Sequence, residues 1–457
     1  MRCNGQEWTV RTHCRGEIIK IIHAIGWYFP DSLGGTEVYV AGLCRRLNVA
    51  GHEVLVAAPL PGLAGTRTYE YEGVPVFRFG TPVKPTRAEC QGTIQVRGAE
   101  HLHRWLSSER PEWVHFHTFT TGLGVYEMEA AVAAGARVLA TNHLASLGFL
   151  CQRGTLMRWG EKLCDGLCQP IKCAGCALQM AGLPKRPAQA FALLGSVLGH
   201  WPKHVAGRLG TALGMPQLIR GNLVLQDRML QLVHRFVLLN KWALEAVVAN
   251  GAPREKLALN YLGLSYADFA SKPGPQLQPT RLPVKVGYFG RIVDIKGVLQ
   301  LAQAFALLPK DLPIQLEFRG PAGDQSLLDR LKAIVNNDPR VTFCPSVEPS
   351  EAPLILAGYD VLCIPSVWFE NGPTVMIEAH SVGTPVLGTN IGAMPEIIED
   401  GVSGRLVEPG NVADLAGALM HIARDPANTV DRWRRALPPP RTMDDIAADY
   451  LKIYEGA

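Results

Sequence analysis

The chain has no uninterrupted apolar run approaching the roughly 18 residues that a membrane-spanning helix needs. The longest candidate, Ala188 to Gly199, is too short. The opening stretch, MRCNGQEWTVRTHCRG, lacks the apolar core of a secretory signal, so residues 1–16 read as a polar tail. A cytoplasmic location is expected, with any membrane contact at the inner face. Strong charge of one sign is also missing. The formal net charge is +4 over 457 residues, far from the dense basic face of a nucleic-acid binder, and no nucleic-acid partner is expected. What remains is an ordinary globular balance, 47% hydrophobic and 19% charged, with length for two or three domains.

Short β-rich apolar runs alternate with longer helical patterns, the signature of parallel α/β sheets. In the first half the expected strands are Ile18–Ile25, Val54–Ala58, Val76–Phe79, Val114–Phe116, Val138–Thr141 and Phe236–Leu239. Helical patterns such as Val38–Val49 and Gly122–Ala134 lie between them. The proline-rich stretch SKPGPQLQPTRLP, 271–283, reads as a linker. A second alternation follows: Val284–Phe289, Ile314–Phe318, Val341–Phe343, Val361–Ile364, Pro385–Gly388 and Gly404–Val407. The expected organisation is two doubly wound domains, 17–270 and 284–436, facing each other across a cleft. The first carries an insert at 150–225 where the alternation fails. A final helix within 437–457 is expected to cross back to the first domain.

The second domain holds a concentrated set of polar residues. Gly290-Arg291 closes its first strand and Lys296-Gly297 opens the next helix, so both cations can reach a diphosphate at the sheet edge, aided by a helix N-terminus. Solvated loop cations are the plainer alternative. Residues 368–378 read WFENGPTVMIE. Pro373 suits the first position of a helix, which puts Glu370 on the loop and Glu378 inside the helix. One carboxylate can then address a sugar and the other a ribose, while Asn371, Gly372 and Thr374 offer loop and helix-start groups. Glu378 is flanked by Val375, Met376, Ile377 and Ala379, where a carboxylate needs a partner.

These segments resemble the retaining glycosyltransferases of the GT-B fold, family 4. The resemblance rests on GRIVDIKG at 290–297, the Glu370-x7-Glu378 spacing and GTPVLGTNIGAMPEIIEDGVSGRLVEPGN at 383–411, with YFPDSLGGTE at 28–37 and GHEV at 51–54 in support. It covers nearly the whole chain from Ile18, and implies two Rossmann-like domains and a nucleotide diphosphate sugar donor linked to UDP or GDP. Arg291 and Lys296 would bind the diphosphate and Glu378 the ribose. Glu370 would contact the transferred sugar or stabilise positive charge at its anomeric carbon. Gly34 and Gly35 would close over the phosphates, and the backbone near Ser346 and Val347 would hold the base. His143 would face the transferred sugar. The family's usual His-Asp pair is broken here, since Leu144 follows. His115 and His117 stand at another strand end, as acceptor-side groups or as structural histidines. The resemblance further implies retention of configuration, no metal or other cofactor in catalysis, and a glycan or lipid-linked acceptor in polysaccharide or cell-envelope glycan synthesis. Two other readings stay open: a non-catalytic sugar-nucleotide scaffold, and an epimerase or phosphorylase on the same architecture.

Eleven cysteines is many, and five crowd between Cys151 and Cys176. Cys173-Ala-Gly-Cys176 has the spacing of a metal knuckle, and with Cys151 and Cys164 it suits a structural zinc or iron–sulfur centre. Some members of the resembled family carry a similar insert. Free thiols or a redox pair are the alternatives. Between Lys185 and Leu213, Lys185, Arg186, Lys203 and Arg208 mix with Phe191, Trp201 and leucines. That segment reads either as an interfacial helix on anionic lipid, a peripheral membrane contact, or as an ordinary packed helix pair.

Overall fold

A computed structural model describes residues 18–456 apart from 33, 144–149, 200–206 and 265–278. The polar tail, Leu144, Trp201, Lys203 and residues 271–278 of the linker lie outside the described residues.

The strands, in chain order, are β1 (Lys20–Ala24), β2 (Glu53–Pro61), β3 (Thr66–Tyr71), β4 (Val74–Thr81), β5 (Trp113–Phe116), β6 (Arg137–Thr141), β7 (Met157–Arg158), β8 (Lys162–Leu163), β9 (Val233–Leu238), β10 (Leu257–Leu259), β11 (Val284–Phe289), β12 (Ile314–Arg319), β13 (Val341–Cys344), β14 (Val361–Ile364), β15 (Val386–Thr389) and β16 (Gly404–Val407). They form an eight-stranded sheet in the order β10-β9-β6-β5-β1-β2-β4-β3 and a six-stranded sheet in the order β13-β12-β11-β14-β15-β16; β7 and β8 pair as a hairpin. All pairings in the two large sheets are parallel except β3 on β4. The fold is α/β, with two Rossmann-like sheets in the GT-B arrangement.

Strands covered on both faces read as near-continuous apolar runs, whereas β12, IQLEFR, alternates. β14, VLCI, is wholly buried. Edge strand β3, TRTYEY, is largely exposed and polar, so it carries no apolar run. The flanking helices bury one stripe each. In Val412–Arg424, Leu415, Leu419 and Ile422 turn inward, and the Asn411 side chain accepts from the Asp414 N–H at 3.1 Å to cap the first turn.

The helix Met443–Tyr454 packs against the first sheet's side of the molecule. Thr442 and Asp445 form a capping box at its start. Its buried stripe, Met443, Ile446, Ala447, Tyr450 and Tyr454, shares one core with Ile21, Leu43, Leu47 and Val54. Each such apolar side chain contributes about 1.5–3 kcal/mol on full burial, so this helix is a built part of the N-terminal half. The region 150–225 holds the β7–β8 hairpin and the helices Pro170–Met180 and Lys185–Leu198, and it runs into the long helix Gly207–Leu232. These three helices meet through small residues, Ala174 and Ala192 against Ile219, and Ala188 and Ala212 against Leu178.

Candidate functional site

The six-stranded sheet changes direction of winding between β11 and β14, and such a switch point opens a crevice at the C-terminal ends of the strands. Arg291 follows β11; the loop Pro365–Pro373 follows β14. Lys296 sits on a single tight turn, and Gly297 takes a left-handed φ of 73°. A Cβ on Gly297 would fall 1.8 Å from the Pro365 carbonyl oxygen, so only glycine lets the turn press against that loop. The consequence is a defined polar knot. Lys296 Nζ lies 2.6 Å from Glu370 Oε1, which also accepts from Ser366 Oγ at 2.7 Å and Trp368 Nε1 at 2.9 Å. The ammonium stands 5.5 Å from the Trp368 ring centre. From behind, Ala393 N–H donates to the Glu370 carbonyl at 2.8 Å. Oε1 of Glu370 is thus committed to three donors.

Arg291 is exposed, and its carbonyl accepts from the Tyr288 hydroxyl at 2.6 Å. Burial pushes the Tyr288 phenol up; the Glu370 carboxylate adds to that effect and the Arg291 guanidinium opposes it, so both charges act on one ring. Pro373 is the cap of the helix Thr374–Ser381 rather than its first residue. Within that helix Glu378 is partly exposed, and its carboxylate accepts no hydrogen bond from a described residue. Burial pushes its pKa up to about 7. The expected partner for this acid is therefore absent among the described residues. Ser346 and Val347 lie on the loop after β13, partly to fully exposed.

A cleft of about 480 Å³ joins the two halves. Gly35, Thr36, Tyr39 and His143 line it from the N-terminal half, and Trp368, Glu370, Asn371, Gly372 and Thr374 from the C-terminal half. Two helix N-termini, at Gly35 and Thr374, thus face one space and bring partial positive charge to it. Gly34, with an extended backbone, caps the first of them. The loop before it is pinned by the buried Arg78, which bonds the Tyr28 carbonyl at 3.3 Å and pairs with Asp31 at 3.0 Å. Asn371 is held across the cleft by Asn240 Nδ2, 3.1 Å from its carbonyl. Glu396 caps the helix Lys241–Ala249 of the opposite half, accepting from the Lys241 and Trp242 N–H groups at 2.8 and 2.9 Å. Ser366, Trp368, Asn240 and Glu396 were not singled out in the sequence. Glu396 lies in the PEIIED motif and Asn240 has the place of a helix cap, so both carried a signal without its partner.

His143 is joined to His117 and lies 4.8 Å from the Tyr39 ring, edge to face. His115 and His117 are fully buried and do not line the cleft, which decides against their being acceptor-side groups. His115 bonds the Tyr454 hydroxyl at 2.6 Å and Thr141 Oγ1 at 2.7 Å; Thr141 in turn bonds the Tyr450 hydroxyl at 2.8 Å. The C-terminal helix therefore supplies hydroxyls to the floor beneath the cleft.

The four cysteines Cys151, Cys164, Cys173 and Cys176 do not form the expected ligand set. Among the described residues no three cysteine sulfurs lie within 4.8 Å of one another. Cys173 is a free thiol that accepts from the Gln169 N–H at 3.3 Å and faces the Leu167 carbonyl at 3.7 Å, and the neighbouring Cys168 thiol holds it below its ordinary value. Cys176 turns toward Trp159 and Met157. The x2 spacing places Cys173 and Cys176 one turn apart on a helix, and the helix directs them to different neighbours.

Strand order, paired sheets and a cleft between them define a GT-B architecture, and comparison with known proteins agrees. The family described as "Glycosyl transferase 4-like domain" matches residues 34–263, and "Glycosyl transferases group 1" matches residues 278–437. The chain belongs to the glycosyl transferase 4-like family, with a group 1 C-terminal domain. An MMP alpha-(1->4)-mannosyltransferase of Mycolicibacterium hassiacum is 29% identical over 169 residues, 36% of this chain and 41% of that protein. A D-inositol 3-phosphate glycosyltransferase of Pseudarthrobacter chlorophenolicus is 34% identical over 154 residues, 33% of this chain and 36% of that protein. The chain thus spans about two fifths or less of these curated relatives. Among solved structures, HepE of Anabaena in complex with UDP and glucose superposes with a TM-score of 0.60 at 15% identity, covering 96% of this chain and 100% of that one. Sucrose-phosphate synthase of Thermosynechococcus elongatus gives 0.60 at 18%, covering 95% and 98%. At such identities the likeness is one of fold.

Proposed function

We propose that the protein transfers a hexose-type sugar from a UDP- or GDP-linked donor to a hydroxyl of a glycan or lipid-linked acceptor, with retention of configuration and without a catalytic metal. The observation that carries this reading is the Lys296–Glu370 pair at the switch point, opening on a cleft into which two helix N-termini and His143 point. Positive charge grows on the sugar ring and negative charge on the leaving diphosphate as the glycosidic bond breaks. Lys296, Arg291 and the helix N-termini oppose the second, and Glu370 offsets the first. The departing phosphate oxygen takes the acceptor proton on the same face, which retains configuration. A diphosphate arriving at Lys296 competes with Glu370 for the ammonium and frees that carboxylate for the sugar. Glu378, unpaired among the described residues, is the acceptor for the ribose hydroxyls. A second cavity of about 590 Å³ in the N-terminal half shares Gly154 with the cleft, and we assign the acceptor to it. Glycan assembly for a polysaccharide or the cell envelope, on the cytoplasmic side, is the setting that fits such an acceptor.

A panel of UDP- and GDP-sugars tests the reading. One donor should raise the melting temperature and release its nucleotide faster when acceptor is added. Thermal stabilisation without release would mark a binding scaffold, and no response to any donor would remove the proposal.

Membrane contact is supported by exposed apolar side chains on one helix. Leu193, Leu194 and Val197 on the helix Lys185–Leu198 are 56%, 50% and 78% exposed, with Lys185 and Arg186 at its start. No helix among the described residues is long and apolar enough to cross a membrane. The protein should co-sediment with anionic phosphatidylglycerol vesicles, and Val197→Glu should cut the bound fraction severalfold, since two to three half-buried methylenes are worth about 0.8 kcal/mol each. Wild-type protein left wholly in the supernatant would end the idea.

A further inference from the structure

Three imidazoles stand in line beneath the cleft. His143, on its wall, has Nε2 3.1 Å from His117 Nδ1, and His117 Nε2 is 2.9 Å from His23 Nδ1. The sheet sets this spacing, because β1 and β5 lie side by side and His117 N–H donates to the Ala24 carbonyl at 2.9 Å. His23 and His117 are fully buried. At the inner end, His23 Nε2 is buried with no hydrogen-bond partner among the described residues. At the outer end, His143 lines the cleft, and Nδ1 is the ring nitrogen not bonded to His117. The nitrogens of His23, His115 and His117 lie within 4.8 Å of one another, a spacing a metal could use. All but His23 Nε2 are already engaged with each other, with His143 or with Tyr454 and Thr141, so a cation would have to break that network without a carboxylate to balance it.

Burial pushes His23 and His143 down to about 3 and His117 well below its ordinary value, so all three rings are neutral near neutral pH. A neutral imidazole has one N–H and one lone pair, and each contact in the line needs one of each. Only two proton arrangements satisfy both contacts. In the first, every Nε2 carries the proton; His143 then donates inward and His23 Nε2–H is left buried without an acceptor. In the second, every Nδ1 carries the proton; His23 donates to His117, His117 donates to His143, and His143 Nδ1–H points to the cleft. This arrangement leaves only a bare lone pair at His23 Nε2. Orphaned buried N–H groups are rarer in folded proteins than under-satisfied acceptors, and an outward N–H meets a ligand rich in acceptor oxygens.

We propose that His23 and His117 are positioning residues that hold His143 in its Nδ1-protonated neutral form, so that it donates a hydrogen bond to an oxygen of the bound sugar or diphosphate and does not serve as a base. The proposal rests on the cleft being the transfer site, but its test reads the tautomer without turnover.

Full-length protein labelled with 15N-histidine is examined by two-bond proton–nitrogen correlation, in which protonated and bare ring nitrogens fall in separate ranges. The His143 signals are assigned by their loss in His143→Gln. The expected pattern is Nδ1 protonated and Nε2 bare. In His23→Leu the His143 pattern should become a mixture of tautomers, and donor turnover should fall about tenfold, the worth of one neutral hydrogen bond. His23→Asn, which keeps an amide N–H where Nδ1 stands, should restore both. A wild-type spectrum with His143 protonated at Nε2 overturns the proposal, as does an unchanged His143 pattern in folded His23→Leu. If His23→Leu fails to fold, the wild-type spectrum decides alone. A protein that shows the expected tautomer yet turns over no donor would refute the transfer reading and leave the positioning intact.

Discussion

Lys296→Ala is expected to lower sugar transfer by about a hundredfold or more at saturating donor, the scale seen when one preorganised group facing developing charge is removed. Lys296 is held 2.6 Å from Glu370 by a turn that only glycine at 297 permits, so its position is built before any ligand arrives. Alanine removes the cation facing the leaving diphosphate and strips Glu370 Oε1 of its one charged partner among the described residues. Ser366 and Trp368 remain as donors to that oxygen, so the loop should keep its shape and the melting temperature should move by a few degrees at most. Arg291→Ala should cost less, about tenfold, because that side chain is exposed and its charge is screened by solvent. Nucleotide release measured beside thermal unfolding separates the two effects. A folded Lys296→Ala protein turning over at the wild-type rate would remove Lys296 from the chemistry.

Glu378→Gln should make the protein more stable and a poorer donor binder at once. Burial pushes the Glu378 pKa up to about 7, while the unfolded chain ionises its glutamates near an ordinary 4.3 or so. Between those values the folded state keeps a proton that the unfolded state has lost. Stability therefore falls as pH rises from about 4.5 to 7, and the full cost stands above pH 7. Glutamine removes that cost, so the substitution should stabilise the protein by up to about 3 kcal/mol at pH 8 and by little at pH 4. Donor affinity should fall about tenfold in the same variant, since an amide oxygen replaces a charged acceptor. Wild-type donor binding should weaken as pH drops below about 7, and the variant's should stay flat. Chemical unfolding at the two pH values and calorimetric titration of the donor check both halves. Equal stability at pH 8 would show that Glu378 is well solvated; equal donor affinity would show that it does not hold the ribose.

Much of the architecture is legible without coordinates. Strands covered on both faces are apolar throughout and strands covered on one face alternate, so β1, β5, β6, β14 and β15 stand out as near-continuous apolar runs and β12, IQLEFR, as an alternation. Strands that break that rule do not: β3 is polar at a sheet edge, β10 is three residues long, and the β7–β8 hairpin has two residues a side. The donor-site residues were legible as types because glycine, lysine and glutamate at fixed local spacing carry their chemistry along the chain. Their pairing was not. Glu370 meets Ser366 and Trp368 locally but Lys296 from 74 residues away, and Glu396 caps a helix that begins 155 residues earlier.

The amino-acid order by itself determined two sets of strands suited to parallel sheets, a pair of cations after the first strand of the second set, and a pair of acids around a later helix start. These follow from local propensity and periodicity, which act over a few residues. Tertiary structure alone decided that Oε1 of Glu370 is occupied, that Glu378 is unpaired among the described residues, that Cys173 and Cys176 meet different neighbours, and that histidines from β1 and from just beyond β5 and β6 form one line under the cleft. Those outcomes depend on strand register and helix packing, where a single-residue slip would turn the side chain to the opposite face.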